Sequence, residues 1–493
     1  MNAPLRRLSA VVMSMFLVLM VGVTWVQYVQ APGLNDDPRN VRTTYREYGR
    51  DRGPIVVAGT PVAESVPVDD PFGFQRTYVQ GDVYAPLTGY HSIVFGSSMI
   101  EDAANDVLNG TASSLWLERL QSLVTGRQPR GGSVELTIDP VAQQAAWDAL
   151  AGRAGAAVAI DPRTGAILAM VSTPSYDPNT LAAHSSSAVN EAWDALLADP
   201  ARPLDNRAIA GNQYAPGSTF KLVDTVALLA TGDFAPDTQV PAPTTYRAPG
   251  AGADIRNPGG GTCGGDTVTL EYALQESCNT PFAQLAVEEL GDEALREQAE
   301  AFGFGQELHV PMTVTPSRFP QGVDGELDPA FLALAAIGQY DVRVTPLQMA
   351  MVSAAIANDG VLMTPYTIAT ERGPDLGVLS QTTPSEFSQP MSADVAETMT
   401  QLMTNVVENG TGQTAQIPGV AVAGKTGTAE SGIEGDGPEA NPHAWFTAFA
   451  PADDPQVAVA VVVENGGSLS SEYTGAQLAA PIARSIMQAV IDQ

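Results

Sequence analysis

Ser218 and Lys221 stand three residues apart, directly after Pro216-Gly217. Proline followed by glycine breaks whatever element precedes it. Ser218 is a good helix-starting residue, and Leu222, Val223, Val226, Ala227, Leu228 and Leu229 supply an apolar run behind it. On such a helix the serine and lysine share a face, with Cβ atoms roughly 5–6 Å apart. A hydroxyl beside an amine at the start of a buried helix has the makings of an activated nucleophile. Free backbone N–H groups at the helix start could hold an oxyanion. The pair alone also fits an ordinary solvated helix start, so its meaning depends on the rest of the chain.

The elements that must position it come next. At 493 residues the chain is too long for one ordinary domain. Its net charge of −31, from 55 acidic and 24 basic residues, argues against nucleic acid, whose phosphates it would repel. The cysteines are Cys263 and Cys278, and the histidines His91, His184, His309 and His443. No pair has metal-ligand spacing, so neither a zinc site nor a Ser-His-Asp triad is expected, and no metal or cofactor.

Arg6 and Arg7 precede an uncharged apolar stretch over 8–29, long enough to span a bilayer core of roughly 30 Å. A cleaved signal peptide would have a shorter apolar core and a small-x-small end, whereas Trp25 and Tyr28 close this run as interface anchors. The reading is an uncleaved anchor over 8–29 with a short cytoplasmic tail over 1–7. Basic residues before it and Asp36 and Asp37 after it place the remainder outside the cytoplasm. Residues 30–130 mix Gly, Pro and strand formers, including Tyr78-Val79 and Val83-Tyr84, with short helices expected over 102–108 and 114–124. No chemistry stands out there, and a non-catalytic docking or spacer domain is expected.

A denser block runs from Gly131. A strand over 134–138 leads to Asp139-Pro140, a cap followed by a first-turn proline. Strands over 156–160 and 166–171 flank the turn Asp161-Pro162-Arg163-Thr164-Gly165 and form a hairpin. A polar connector over 172–204 precedes the serine. Helices are expected through 270–274, over 282–290, 345–357 and 394–407. Strands over 420–428, 444–450 and 456–464 follow as an antiparallel meander, closed by a helix over 474–490.

Two further motifs fall on these elements: Ser277-x-Asn279 between helices and Lys425-Thr426-Gly427-Thr428 on a strand. Separately they read as a cap, a turn residue and a surface lysine. Together with Ser218-x-x-Lys221, in this order, they form the set associated with penicillin-recognising serine enzymes. Asn206-Arg207-Ala208, the run from Tyr214 to Lys221, Ser175-Tyr176-Asp177-Pro178-Asn179 and Val344-Thr345-Pro346-Leu347-Gln348 extend the likeness. The chain resembles class B penicillin-binding proteins, and among these the actinobacterial penicillin-binding protein A group. The likeness covers 131–493, the anchor and the Arg52-Gly53-Pro54-Ile55 turn.

The resemblance implies an α+β transpeptidase fold, a central antiparallel sheet flanked by helices, behind a small pedestal or dimerisation-like domain over 30–130. It implies peptidoglycan stem peptides as donor and acceptor, β-lactams as inhibitors, the cytoplasmic membrane as support and a polymerising membrane glycosyltransferase as partner. No glycosyltransferase domain of its own is expected, since about 100 residues precede the catalytic block.

Acyl transfer assigns the roles. Ser218 attacks a carbonyl carbon. Lys221 serves as base only if its amine is neutral, which neighbouring Lys425 favours. Ser277 relays a proton, polarised by Lys425. Asn279 suits a peptide amide. Gly427 lets substrate lie along the strand edge, and the Thr426 and Thr428 hydroxyls suit a terminal carboxylate. By resemblance, the backbone N–H groups of Ser218 and Thr428 form the oxyanion hole. Cys263 and Cys278 are read as a disulfide closing a loop of about 15 residues beside the site, with two buried free thiols as the alternative.

Competing readings are a β-lactamase, a D,D-carboxypeptidase, a penicillin sensor and an idle scaffold. The anchor and the long interval from Ser277 to Lys425 count against the first. A sensor needs a cytoplasmic domain, which the short tail does not provide, and a scaffold could have lost Lys221 or Ser277. The carboxypeptidase differs only in its acceptor.

Overall fold

The structure, a computed structural model, describes residues 2–30, 48–115, 130–210, 214–322, 325–429, 442–466 and 475–493. At its centre lies a five-stranded antiparallel sheet. In spatial order its strands are Ala423–Ala429, His443–Ala450, Val457–Val463, Gly155–Ile160 and Ile167–Thr173. The run Val457–Val463 is apolar at every position because both faces are covered. Val459, Val461 and Val463 join helices Pro140–Leu150 and Gly475–Ile491 in one layer. Ala458, Ala460 and Val462 face the opposite layer, where helix Pro346–Ala357 packs. The cap expected at Asp139 forms: its carboxylate accepts from the backbone N–H of Val141 and Ala142.

A largely helical lobe sits beside the sheet. It contains Lys221–Ala230, Leu270–Gln275, Thr280–Leu285, Gly291–Ala301 and Ala393–Glu408. The cleft described below opens between this lobe and the edge strand Ala423–Ala429.

The second sheet has six strands, ordered Val378–Gln381, Ile368–Arg372, Ser133–Leu136, Ile55–Val57, Thr60–Pro67 and Phe74–Tyr78. Ile55–Val57 and Ser133–Leu136 run parallel, and the other pairs are antiparallel. This sheet crosses the division expected at residue 130, drawing one strand from 133–136 and a hairpin from 368–381. Under it lies a buried cluster. Glu101 bonds Arg52 Nε and Arg76 Nε, each at 2.6 Å, and accepts from the Tyr78 hydroxyl at 3.0 Å.

Val83-Tyr84, read as strand-like, lies instead in helix Gly81–Thr88, where Val83, Tyr84 and Leu87 are buried together. Tertiary packing overrides the strand preference of valine and tyrosine. The connector over 172–204 contains helix Ser186–Ala198, capped by Ser185. Of the helix expected over 114–124, most lies outside the described residues, as does Thr474 of the closing helix. Pro4–Val29 is long and apolar enough to cross a membrane.

Candidate active site

Ser218 does not open an α-helix directly. It lies in a 3₁₀ turn, Gly217–Phe220, and the α-helix begins at Lys221. In such a turn side chains at i and i+3 eclipse, which keeps Ser218 and Lys221 on one side. Gly217 has φ +54°, and a Cβ there would fall 2.4 Å from Thr428 O. Glycine therefore allows the serine turn to press against the edge strand. Gly427 answers from the strand: its Cβ would meet Pro216 O and Thr219 Cγ2, each at 2.9 Å. Room for substrate was the expected reason for Gly427. Contact between strand and serine turn also requires it.

The turn is held from behind. Trp445 Nε1 donates to Ala215 O at 3.0 Å, and Gly217 N donates to Gly338 O at 2.9 Å. Arg207 Nε reaches Glu464 at 2.9 Å, and the Tyr214 hydroxyl donates to the same carboxylate at 2.6 Å. Glu464 follows strand Val457–Val463, so this network ties the approach to Ser218 to the central sheet. In sequence, Glu464-Asn465-Gly466-Gly467 signals only a turn at a strand end.

The motifs converge on Ser277. Lys221 Nζ donates to Ser277 O and to Asn279 Oδ1, both at 2.8 Å. Lys425 Nζ donates to Ser277 Oγ at 2.8 Å and to Thr426 O at 3.0 Å. Ser277 has φ +58°, an uncommon conformation for serine, and so presents its carbonyl to one lysine and its hydroxyl to the other. Asn279 Nδ2 donates to Arg256 O at 2.8 Å, which fixes its Oδ1 toward Lys221. Ser218 Oγ is half-buried and has no hydrogen bond among the described residues.

Both lysines are fully buried. Burial drives Lys221 well below the ordinary lysine value, and the charge of Lys425 adds to the effect. Burial brings Lys425 down to about 7. A neutral amine has two N–H donors and one lone pair. Ser277 O and Asn279 Oδ1 occupy both of Lys221's donors, leaving the lone pair for a proton. Asp224 lies one turn further along the same helix, 1% exposed, with neither carboxyl oxygen hydrogen-bonded among the described residues. Burial raises its pKa well above the ordinary carboxylate value, although Lys221 opposes this, and the weaker pull of Asp224 on Lys221 does not offset burial and Lys425. Sequence spacing alone gave no reason to single out Asp224.

A cleft of about 590 Å³ joins Ser218, Ser277, Asn279, Thr426, Gly427 and Thr428. Thr428 is exposed, whereas Thr426 is buried and its hydroxyl meets that of Thr411 at 2.7 Å. Thr411, Ile337 and Gln339 also line the cleft and were not among the expected site residues. In sequence, Asn409-Gly410 signals only the end of the helix before it. A Cβ at Gly410 would fall 2.4 Å from Gln275 O, so the glycine brings Thr411 up to the site.

Cys263 and Cys278 are joined, with Cα atoms 6.0 Å apart, and Cys278 lies between Ser277 and Asn279. Replacing both by serine is expected to lower stability by about 3 kcal/mol for a 15-residue separation, measured as a fall in the denaturant midpoint. An unchanged midpoint would refute a stabilising role.

An edge strand, a serine turn and an inter-helix motif enclosing two buried lysines define a serine acyltransferase of the penicillin-recognising type. Residues 155–488 match the penicillin binding protein transpeptidase domain, and residues 52–134 the penicillin binding protein A dimerisation domain. The chain belongs to the penicillin-binding protein transpeptidase family. It is 45% identical to the peptidoglycan D,D-transpeptidase PbpA of Mycolicibacterium smegmatis, over 100% of this chain and 99% of that one. PbpA of Mycobacterium tuberculosis is similar to the same extent. The structure of penicillin-binding protein A from M. tuberculosis as a ceftriaxone acyl-enzyme complex aligns with a TM-score of 0.86 at 44% identity, covering 91% of this chain and all of that one. The penicillin G acyl-enzyme complex of that protein aligns with a TM-score of 0.83, covering 90% of this chain and all of that one.

Proposed function

We propose that this chain is a membrane-anchored serine D,D-transpeptidase. It cross-links peptidoglycan stem peptides through an acyl-enzyme on Ser218, and β-lactams acylate the same serine. The observation that carries the reading is the pair of buried lysines on opposite sides of Ser277, with Ser218 in the same cleft.

Ser218 Oγ attacks the carbonyl carbon of the penultimate D-alanine while its proton passes to the neutral Lys221 amine. The negative oxygen rests on the backbone N–H groups of Ser218 and Thr428. The C–N bond then breaks. The leaving D-alanine takes that proton from Lys221 through the Ser277 hydroxyl, which Lys425 polarises, so the Lys221 amine is neutral again. The amine of a second stem attacks the ester, gives up its proton to Lys221, and restores the Ser218 hydroxyl as the new amide forms. Asn279 holds the donor amide, and Thr426 and Thr428, with Thr411 behind them, receive the terminal carboxylate. Residues 8–29 anchor the chain, with Arg6 and Arg7 on the cytoplasmic side and the cleft outside. A polymerising membrane glycosyltransferase is the proposed partner.

The test is fluorescent penicillin labelling followed by exchange of the terminal D-alanine for an added D-amino acid. Label on Ser218 that releases slowly and is lost in Ser218→Ala, together with exchange, supports the reading. Rapid release would indicate a lactamase. Hydrolysis without exchange would indicate a carboxypeptidase, and folded protein without label an idle scaffold.

A further inference from the structure

A second groove, of about 470 Å³, adjoins the cleft and shares Asn279, Ile337 and Gln339 with it. Its other walls include Arg256, Tyr340, Arg343 and one carboxylate, Asp254, whose charge is met by Arg247, and none of Thr426, Gly427 and Thr428 lines it. It therefore continues the depression on the Asn279 side. We propose that this groove binds a carboxylate of the peptide substrate between the guanidinium groups of Arg256 and Arg343. The inference rests on the transpeptidase reading and specifies what else that site recognises.

The charge balance is the first argument. In a chain of net charge −31, most described arginines are engaged by acids. Arg256 and Arg343 have no carboxylate within 4.0 Å among the described residues. The acids nearest to them in sequence have closer partners: Asp254 pairs with Arg247 and Asp341 with Arg318, each at 2.5 Å, so Asp341 acts on Arg343 only through its field. Arg343 gives Nη1 to Tyr340 O and Val342 O, at 2.8 and 2.9 Å, which leaves Nε and Nη2 for a ligand. A planar guanidinium fork matches a carboxylate better than any other anion a peptide carries.

The second argument is that both arginines stand on backbone fixed to the acyl site. Asn279 Nδ2 donates to Arg256 O at 2.8 Å. The neighbouring Asn257 accepts from the backbone N–H of Asn279 at 2.9 Å and of Thr280 at 3.0 Å. Beyond Arg343, Val344 exchanges both backbone hydrogen bonds with Tyr214, at 2.8 and 3.2 Å, four residues before Ser218. A ligand between these arginines is thereby in fixed register with the serine.

The third argument is strain. Tyr340 has φ +59°, an outlier for a bulky side chain, and lies 42% exposed. Its ring stacks on Phe331, equally exposed, with centroids 4.4 Å apart. A strained residue that holds an aromatic wall beside two guanidinium groups without a carboxylate within 4.0 Å among the described residues fits a ligand site better than a folding role.

The carboxylate has two sources: the donor stem ahead of its terminal D-alanine pair, or the acceptor beside its amine. The experiment uses full-length enzyme. One arm compares a donor pentapeptide bearing a free side-branch carboxylate with its carboxamide, at fixed acceptor. The other compares an acceptor amino acid with its amide, at fixed donor. The expected result is a preference of about tenfold in kcat/KM for the carboxylate form in one arm, which identifies the source. The preference should fall toward unity in Arg256→Gln, read as the ratio of the carboxylate to the amide form so that any change common to both cancels. Arg256 is exposed, so this variant keeps the test valid if Arg343→Gln fails to fold. Normal acylation of Ser218 with equal use of carboxylate and amide in both arms overturns this inference alone, as does a preference untouched by Arg256→Gln. Loss of acylation in the unmodified enzyme overturns the transpeptidase reading and this inference with it.

Discussion

Lys221→Met is expected to acylate about 10²–10⁴-fold more slowly with penicillin than the unmodified enzyme. Methionine keeps most of the alkyl volume in a fully buried position and removes the amine proposed to take the Ser218 proton. Lys221→Arg should be equally impaired, because a guanidinium does not give up its proton at any working pH. The pH profile is the sharper measurement. Acylation should rise with pH through the lowered pKa of Lys221 and level off well below the ordinary lysine value of 10.5. Lys425→Met removes the neighbouring charge, so the rising limb should move toward alkaline pH. Burial is the larger cause, so the limb should still lie below 10.5. A profile that stays flat until lysine-like pH would overturn the base assignment.

The same shift has a sign for stability. Between the folded value and 10.5 the unfolded chain binds a proton at Lys221 that the native chain does not, so this group's contribution to stability rises with pH. At neutral pH the buried amine is therefore a net cost. Lys221→Met is expected to unfold at a higher temperature than the unmodified protein, a trade of stability against activity.

Glu101→Ala is the second large effect, and it lies far from the chemistry. Glu101 is fully buried between Arg52 and Arg76. Arg52 also bonds Asn105 and Asn109, and Arg76 bonds Gly53 O. Removing the carboxylate leaves two buried guanidinium groups without a counter-charge, at a cost of about 3–5 kcal/mol. The pH dependence follows. Burial alone would raise the Glu101 pKa, but Arg76 and Arg52 outweigh it and hold it at about 2. Its contribution is present above the unfolded value of 4.5 and is lost as pH falls toward 2. Burial, aided by Arg52, lowers His91 from 6.5 to about 3. Between those values only the unfolded chain binds its proton, so acid again destabilises. A denaturation series from pH 7 to pH 3 should show a loss beginning near 6.5, with His91→Gln removing the earliest part. Stability that is level across this range would contradict the cluster's role.

The acyl site was legible in the sequence to the extent that its motifs are local. Ser218-x-x-Lys221, Ser277-x-Asn279 and Lys425 to Thr428 are short and ordered, and each falls on an element with clear boundary signals. What was illegible depends on long-range packing. Thr411 reaches Thr426 only because Gly410 fits against Gln275, and nothing in the local pattern indicates it. Asp224 looks like an ordinary polar position until the helix is seen to be buried all round. Ile337 and Gln339 line the cleft because Gly338 abuts Gly217. The neutrality of Lys221 followed from the chemistry as a requirement, and the burial that meets it appears only in the fold. The six-stranded sheet was hidden for the same reason. Ile368–Arg372 pairs with Ser133–Leu136 across more than two hundred positions, and sequence periodicity does not report such a pairing.

That sheet limits how the protein can be cut. A soluble fragment begun at Gly131, the apparent start of the catalytic block, would retain Ser133–Leu136 and the 368–381 hairpin but discard Ile55–Val57. Val134 and Leu136, both buried in the intact sheet, would then lie on an unpaired edge. Such an edge recruits other chains. Removing only the apolar N-terminal helix and beginning ahead of Arg52 keeps every strand paired. The practical unit for expression and crystallisation therefore carries both sheets whole.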